Sequence, residues 1–309
     1  MSEIRVNNIT NRDGSTGTTV AGIPVVDSTS HFVVPTGRTG SRYVYTDGGE
    51  NIVRDGLVLH LDAKYSYPSK TGITSTTDSL DPDVYTWYDM SGNESHGELI
   101  RNTKYNATGG ESLFLNNTPQ GSSSTGVDAD YINIQHQQAL PESSESPLTL
   151  EAWVKVTGVS GWQTIISLGP SGTQMAFQGA TIRMGRNGGG GGHNTVTNFT
   201  ASANTWYHVV MTYDGNWTVG GDKVYIYQYI NGVSYEDPGP PTNRNANADM
   251  GRNGSNNGPR FAIGGHAINT PDIGELMQGY VSQVRIYNRP LTAAEVLQNY
   301  NATKSRYGY

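Results

Sequence analysis

Short segments in which apolar and polar residues alternate run along most of the chain from residue 57 onward. The clearest are Leu57–Asp62, Leu148–Val156, Trp206–Tyr213 and Gly279–Tyr287. A period of two places alternate side chains on the two faces of a β-strand. Turn-forming pairs such as Asp214-Gly215 and Asn231-Gly232 follow such segments and suit tight hairpins, because these residues tolerate positive φ. The pattern predicts an all-β protein with a two-sheet antiparallel jelly-roll sandwich.

One segment near the C-terminus has the helical period instead. Within residues 290–300, Leu291, Val296 and Tyr300 fall roughly on one face of a helix. Thr292 followed by Glu295 three residues later has the spacing of a capping box. The pattern predicts one short C-terminal helix, and residues 301–309 after it are expected to form a loose tail.

The first 54 residues differ from the rest of the chain. They contain short alternating stretches, such as 4–6 and 31–34, but none has enough apolar area to fold alone. We therefore divide the chain into an extended N-terminal arm, 1–54, and a sandwich domain, 55–309. The arm is expected to gain order by strand addition to a partner or to a second copy of the chain, with a homotrimer as the first guess. A loose tail, or extra strands on the main domain, are the alternatives.

Composition and charge exclude several functions. The 309 residues include 39 glycines and 19 tyrosines, which suits many short strands and turns, and no cysteine, which excludes disulfides and zinc–thiolate sites. The formal charge of −7 argues against nucleic-acid binding, which needs a clustered basic surface. The polar N-terminus has no signal-peptide pattern, and no apolar run is long enough to span a membrane.

Several segments, taken in order, resemble the laminin-G/concanavalin A-like jelly-roll domains. Residues 148–155 resemble that family's strand with a central Trp, and 205–215 resemble its W-x-H-V-x-x-T-Y-D-G strand and turn. The Asn231-Gly232 hairpin, the closing strand at 279–289 and the L-x-x-x-E helix follow in family order. The resemblance covers about 250 residues and implies a binding or structural module of this fold.

A narrower resemblance concerns the start of the domain and the arm. Residues 57–62, 66–68 and 87–97 are similar to a pattern in tailed-phage virion proteins that carry this domain. Residues 4–9 and 28–35 are similar to the N-termini of tailed-phage structural proteins, notably those of cyanophages. This resemblance implies a virion protein assembled in the host cytoplasm, which contacts capsid or tail proteins through residues 1–54.

Four residues are predicted to be structural: Trp87, Trp153, Trp206 and His208. Trp153 and Trp206 lie within alternating stretches, where a large aromatic ring can fill the space between two sheets about 10 Å apart. His208 could suggest catalysis, but its neighbours make it a strand residue.

No catalytic constellation is apparent in the sequence. Glycosidases of this fold need two carboxylates a few residues apart on one strand, and here Glu151 stands alone. No nucleophile elbow or phosphate-binding loop is present. We therefore predict that the protein is not an enzyme.

Two Asn/Gly-rich stretches and one acidic step are the candidate binding sites. The stretches, near 186–194 and 242–259, are expected to form polar loops at an edge of the sandwich, where such folds bind ligands. Their candidate binding residues are Asn187, His193, Asn194, Asn253 and Asn256. Residues 126–131 resemble the family's G-x-x-D-Y step, which implies a calcium site at Asp128 and Asp130. The alternative is that Asp130 hydrogen-bonds backbone amides in a turn.

The leading hypothesis is a phage virion structural protein, either a tail or neck fibre component or a capsid-decorating protein. Its sandwich would face outward and either bind host surface glycans or stabilise the particle. A carbohydrate-binding adhesion module of a bacterial surface protein is the alternative. A glycoside hydrolase or lyase is the third class, and it lacks its carboxylates.

Overall fold

The computed structural model describes residues 19–20, 23–24, 50–67, 69, 82–118, 129–135, 140, 146–168, 173–186, 193–195, 199–215, 226–235, 261–269 and 272–309. The strands are β1 (Thr19–Val20), β2 (Ile23–Pro24), β3 (Leu57–Asp62), β4 (Thr86–Trp87), β5 (Gly97–Ile100), β6 (Lys104–Asn106), β7 (Ser112–Asn116), β8 (Tyr131–Ile134), β9 (Leu148–Val156), β10 (Trp162–Leu168), β11 (Thr173–Gln178), β12 (Thr181–Arg186), β13 (His193–Thr195), β14 (Tyr207–Tyr213), β15 (Ile226–Ile230), β16 (Val233–Tyr235), β17 (Phe261–Ile263), β18 (His266–Asn269), β19 (Asp272–Gly274) and β20 (Gln278–Tyr287). The helices are α1 (Pro82–Tyr85), α2 (Ala293–Thr303) and a 3₁₀ turn at Lys304–Tyr307.

Among the described residues, two antiparallel sheets of eight strands form the sandwich. Sheet A has the strand order β13-β12-β11-β10-β17-β8-β5-β4. Sheet B has the order β16-β15-β14-β9-β20-β7-β6, with β3 paired to the second half of β20. The described part of the arm contributes β1 and β2, which pair with each other. The predicted all-β jelly-roll sandwich is confirmed.

The main core lies between the two sheets and follows from the alternation of each strand. In β9, Leu150, Ala152 and Val154 point into this core, and in β11 Met175 and Phe177 do so from the opposite sheet. Burial of such apolar surface provides the main favourable term for folding. The residues between these positions therefore lie on the outer faces of the sheets.

The C-terminal segment covers the outer face of sheet B. Helix α2 begins after Thr292, whose side chain accepts the Glu295 backbone N–H while the Glu295 carboxylate accepts the Thr292 N–H, so the predicted capping box is present. The expected loose tail is wrong, because Tyr307 is buried and stacks on Trp153 with 3.9 Å between ring centroids. Aromatic rings at the end of the chain supply the apolar area that orders it.

Among the described residues, the segment that leads into β20 covers part of the outer face of sheet A. Ile273 and Leu276 pack there against Ala129 and Ala262. Within the ranges that the structure describes, no helix has the length and apolar character needed to cross a membrane.

Candidate functional site

The four predicted structural residues are buried, but they do not share one location. Trp87 belongs to the core between the sheets. Trp153 and Trp206 pack with Tyr307 in a separate cluster on the outer face of sheet B. The expectation that they fill the space between the sheets is wrong, because Ala152 and Val154 occupy the inward positions and a period of two turns Trp153 outward.

A buried group of charged and polar side chains lies between the outer face of sheet B and the C-terminal segment. We name it the covered polar layer: Glu50, Asp62, Glu151, His208, Gln283, Arg285, Asn299 and Arg306. Its charges pair with one another, as buried charges must to offset their desolvation.

Glu151 is the acceptor at the centre of this layer. Its carboxylate accepts hydrogen bonds from Arg285 Nη1 at 2.6 Å and Asn299 Nδ2 at 2.7 Å, and it lies 3.0 Å from His208 Nε2. Burial alone would raise the pKa of Glu151, but Arg285, His208 and Asn299 outweigh it and lower the pKa to about 2. Glu151 is therefore a buried anion held by three side chains, and His208 helps to hold it.

A second carboxylate group in the layer joins the start of the domain to the end of the chain. Arg306 donates to both oxygens of Asp62, at 2.6 and 3.0 Å, and Gln283 Nε2 donates to Asp62 Oδ2 at 2.5 Å. Glu50 lies 3.4 Å from Arg306 Nη1. Burial and the nearby Asp62 charge raise the pKa of Glu50 to about 7, while Arg285 and Arg306 oppose this shift.

Hydrogen bonds from the same layer fasten the C-terminal segment. Trp153 Nε1 donates to Thr303 Oγ1 at 2.8 Å, and Asn299 Oδ1 accepts the backbone N–H of Val53 at 2.7 Å. We interpret the covered polar layer as structural, because the chain itself covers its charges and binds them.

At the end formed by β10 to β13, the outer face of sheet A has an aromatic ring that the chain leaves partly exposed. Trp162 remains partly exposed there, and the Arg183 guanidinium carbon lies 4.7 Å from the centre of its ring. Thr164 on β10 and Arg183 on β12 both pair with Ala176 on the strand between them, so the three share one face. Because Ala176 is small, the Arg183 side chain can cross β11 and reach Trp162.

A polar cluster lies beside this pair. Glu275 Oε2 accepts hydrogen bonds from Gln174 Nε2 and from Thr164 Oγ1, the latter at 3.2 Å, and lies 3.5 Å from His266 Nδ1. Burial acts to raise the pKa of Glu275, but the bonds from His266, Gln174 and Thr164 lower it overall. Glu275 has a positive φ of 49°, a strained conformation for a side-chain-bearing residue that often marks functional sites.

We name this arrangement the Trp162 platform: Trp162, Thr164, Gln174, Arg183, His266 and Glu275. None of these six residues was predicted from the sequence to form a site. The alternation Thr181-Ile182-Arg183-Met184 carried a signal, because Ile182 and Met184 enter the core and leave Arg183 on the outer face. Nothing local in the sequence places Glu275 beside Gln174, 101 positions away.

Two of the predicted binding residues lie at the same end of sheet A. His193 and Asn194 lie in β13, the edge strand, where their backbones pair with Gly185 and Met184. Asn187, Asn253 and Asn256 lie outside the described residues. The structure thus brings the β13 backbone next to the strand that carries Arg183.

The structure describes one of the two residues predicted to bind calcium. Asp128 lies outside the described residues. The Asp130 carboxylate accepts the backbone N–H of Asn102 at 3.0 Å through Oδ1 and that of Asn116 at 3.1 Å through Oδ2. Both oxygens thus accept backbone amides, as the alternative of a turn anchor expects, and the calcium site at Asp128 and Asp130 stays a prediction. The described ranges contain no group of three or more His, Cys, Asp or Glu side chains placed to hold a metal ion.

A protein-family model described as the concanavalin A-like lectin/glucanases superfamily (Laminin_G_3) matches residues 124–297, more than half of the chain. The chain belongs to this superfamily. The laminin-G/concanavalin A-like resemblance is therefore confirmed at the level of family and fold. No curated protein matches the sequence.

Solved structures have a similar fold. The binding domain of Paraclostridial Mosquitocidal Protein 1 is 17% identical, with a TM-score of 0.52 over 81% of this chain and 52% of that one. The binding domain of botulinum neurotoxin serotype D is 14% identical, with a TM-score of 0.50 over 81% of this chain and 53% of that one. The chain thus spans about half the length of these structures, and at such identities the likeness concerns the fold.

Because the superfamily includes glucanases, the carboxylates of the chain are candidates for glycoside hydrolysis. Retaining glycosidases need two carboxyl groups about 5 Å apart on either side of an open substrate cleft. Glu151 is fully buried, and Glu50 and Asp62 lie beneath the C-terminal segment, bound to Arg306. In this geometry none of the three can reach a substrate.

Proposed function

We propose that the protein is a non-catalytic carbohydrate-binding module that uses the Trp162 platform as its contact surface. The observation that carries this proposal is the partly exposed Trp162 ring, held beneath Arg183 on the outer face of sheet A. An indole ring offers an apolar face to the C–H groups of a sugar ring, and nearby polar side chains can bind its hydroxyls.

The surroundings of the ring support this interpretation. Arg183 and the Glu275 cluster place donors and acceptors next to an aromatic ring, which is the composition typical of small-ligand sites. Strand β13, which contains two of the predicted binding residues, borders the strand that carries Arg183. Lectins also occur in the superfamily to which the chain belongs.

The experiment is affinity electrophoresis of the whole protein in gels that contain soluble polysaccharides. We expect retardation in at least one polysaccharide, and we expect Trp162→Ala to migrate as if no polysaccharide were present. The matched control is Tyr227→Ala, which removes an aromatic ring that is 43% exposed on sheet B. Equal loss in both variants, or retardation that persists in Trp162→Ala, would refute the proposed surface.

The same incubations test the absence of catalysis. We expect no release of reducing ends from any polysaccharide that retards the protein. The structural reason is the burial of Glu151 and its three partners. Turnover that disappears in Glu151→Gln would contradict a purely binding role.

We further propose that the module belongs to a phage virion structural protein, attached through residues 1–54. The support is sequence resemblance: the arm and residues 57–97 are similar to tailed-phage virion proteins, and the arm has alternating β-forming stretches. Strand addition to a capsid or tail protein, or to a second copy in a homotrimer, would supply the hydrogen bonds and apolar surface that the arm lacks. An adhesion module of a bacterial surface protein is the alternative.

Limited proteolysis tests this role. We expect cleavage confined to the part of the arm before Glu50 in the free chain, because Glu50 and Val53 already bind the C-terminal segment, and protection of the same sites in the assembled particle. The control is the sandwich, which should resist cleavage in both samples. Protection of the arm in a free monomer would mean that it packs on its own sandwich, and the docking role would lose its support.

A further inference from the structure

Arg183 is a cation without an anionic partner among the described residues. Its guanidinium lies over Trp162, and its Nε–H is buried without a hydrogen-bond acceptor. Arg285 and Arg306, beneath the C-terminal segment, also have a buried Nε–H without an acceptor, but each has an anionic partner, since Arg285 binds Glu151 at 2.6 Å and Arg306 binds Asp62 at 2.6 Å. A cation without an anionic partner on a partly exposed surface can bind an anionic ligand group.

The nearest carboxylate on the platform does not fill this role. Glu275 Oε2 is already engaged by Gln174 and Thr164, with His266 close by. Glu275 acts on Arg183 as a nearby charge, and no contact within ion-pair distance joins them in the described part of the chain. The Arg183 guanidinium therefore has no ion-pair partner in the described part of the chain.

The aromatic ring limits the freedom of the Arg183 side chain. The guanidinium carbon lies 4.7 Å from the centre of the Trp162 ring, so less side-chain entropy is lost when a ligand binds. A planar guanidinium matches a carboxylate through two parallel hydrogen bonds. Trp162 is itself partly exposed and can contact an apolar sugar face at the same time.

We propose that the Trp162 platform selects acidic saccharides, with a sugar carboxylate bound to Arg183 and the sugar ring in contact with Trp162. This inference rests on the proposed carbohydrate-binding function and adds the class of ligand. The chain has a net charge of −7, so its surface does not attract polyanions in general. Binding of an acidic saccharide would therefore depend on this site.

The test uses pairs of saccharides that differ in one acidic group. Suitable probes are trigalacturonate and its full methyl ester, sialyllactose and lactose, and sulfated dextran and dextran. Titration calorimetry on the whole protein should give at least about tenfold tighter binding of the acidic member in one carboxylate pair, as expected for a charge-assisted hydrogen bond.

The variants are Arg183→Gln and Arg183→Lys. We expect Arg183→Gln to abolish the preference for the acid while the affinity for the neutral member changes less than about threefold, and Arg183→Lys to retain part of the preference. The matched control is Lys155→Gln, because the Lys155 ammonium lies 4.9 Å from the Trp206 ring centre on the other sheet and forms a comparable cation–aromatic contact. Thermal unfolding checks that each variant is folded.

The outcomes separate this inference from the proposed function. Equal affinity for both members of every pair, or an acid preference that survives in Arg183→Gln, would overturn the inference and leave carbohydrate binding intact. A preference confined to sulfated dextran would also overturn it, by assigning the site to sulfate esters. Absence of binding to every probe and every polysaccharide would overturn both.

Discussion

The outer faces of the two sheets differ in the partners of their charged side chains and aromatic rings. On sheet B, the C-terminal segment covers the face, Arg285 and Arg306 bind carboxylates, and Tyr307 stacks on Trp153. On sheet A, Trp162 is partly exposed, and the Arg183 cation above it has no ion-pair partner among the described residues. Arg285 and Arg306 thus have carboxylate partners on the first face, and in the described part of the chain Arg183 has none on the second.

This difference distinguishes residues that stabilise the fold from residues that are suited to binding a ligand. A buried charge that the chain itself neutralises contributes to a unique fold, and its removal exposes an unpaired partner. A partly exposed cation on an aromatic ring contributes little to folding and is ready for a ligand. The same residue types, Arg and Trp, thus have opposite roles on the two faces, and matched substitutions can test this.

The largest expected effect is the loss of a buried arginine. Arg285→Met leaves Glu151 buried without its strongest partner, so the free energy of unfolding should fall by about 3–5 kcal/mol. The matched change on sheet A, Arg183→Met, should cost less than about 1 kcal/mol. Urea denaturation measures both, and similar losses in the two variants would remove the distinction between the faces.

Tryptophan truncation makes the same comparison for the rings. Trp153→Ala and Trp206→Ala each remove a buried ring from the cluster with Tyr307, and each should cost about 3–5 kcal/mol. Trp162→Ala should cost about 1 kcal/mol, because that ring is partly exposed. The measurement is again denaturant unfolding. A parent-like midpoint for both Trp153→Ala and Trp206→Ala would show that the C-terminal segment does not depend on the cluster.

A smaller effect concerns pH and the covered polar layer. Burial and Asp62 raise the pKa of Glu50 from 4.5 to about 7, so the folded chain keeps this proton at pH values where the unfolded chain releases it. The stability that Glu50 contributes is therefore fully present below about pH 4.5 and is lost as pH rises through about 7. Glu50→Gln should remove this decline, which thermal unfolding at a series of pH values can detect.

Glu295→Gln is the control for that pH series. Its hydrogen bond with Arg289 lowers the pKa of Glu295 to about 2, so its contribution is lost only as pH falls from about 4.5 toward 2. The decline between pH 4.5 and 7 should therefore persist in Glu295→Gln. If the decline also persists in Glu50→Gln, Glu50 is not its source.

Features that depend on nearby residues could be predicted from the sequence. The strands follow from alternation, and the Thr292–Glu295 capping box follows from a three-residue spacing. The orientation of Trp153 was missed, because alternation gives two faces without saying which one enters the core. The face depends on the C-terminal tyrosines, and Tyr307 is 154 positions from Trp153 along the chain.

The candidate sites depend on contacts that no local pattern reveals. Arg285 and Glu151 are 134 positions apart, and Gln174 and Glu275 are 101 apart. Glu151 stands alone in the sequence, yet three side chains surround it in the fold. The family and the scaffold could therefore be predicted from the sequence, whereas the difference between the outer faces of the two sheets required the structure.

The central claim is that saccharides bind at Trp162 and leave the covered face unchanged. The chain has five tryptophans, so a sample with ¹⁵N-labelled indoles gives five side-chain signals, which Trp→Phe variants assign. Titration with a saccharide retained in the affinity gels should shift the Trp162 signal and leave those of Trp153 and Trp206 in place. A shift of Trp153 or Trp206 with Trp162 unmoved would contradict the account.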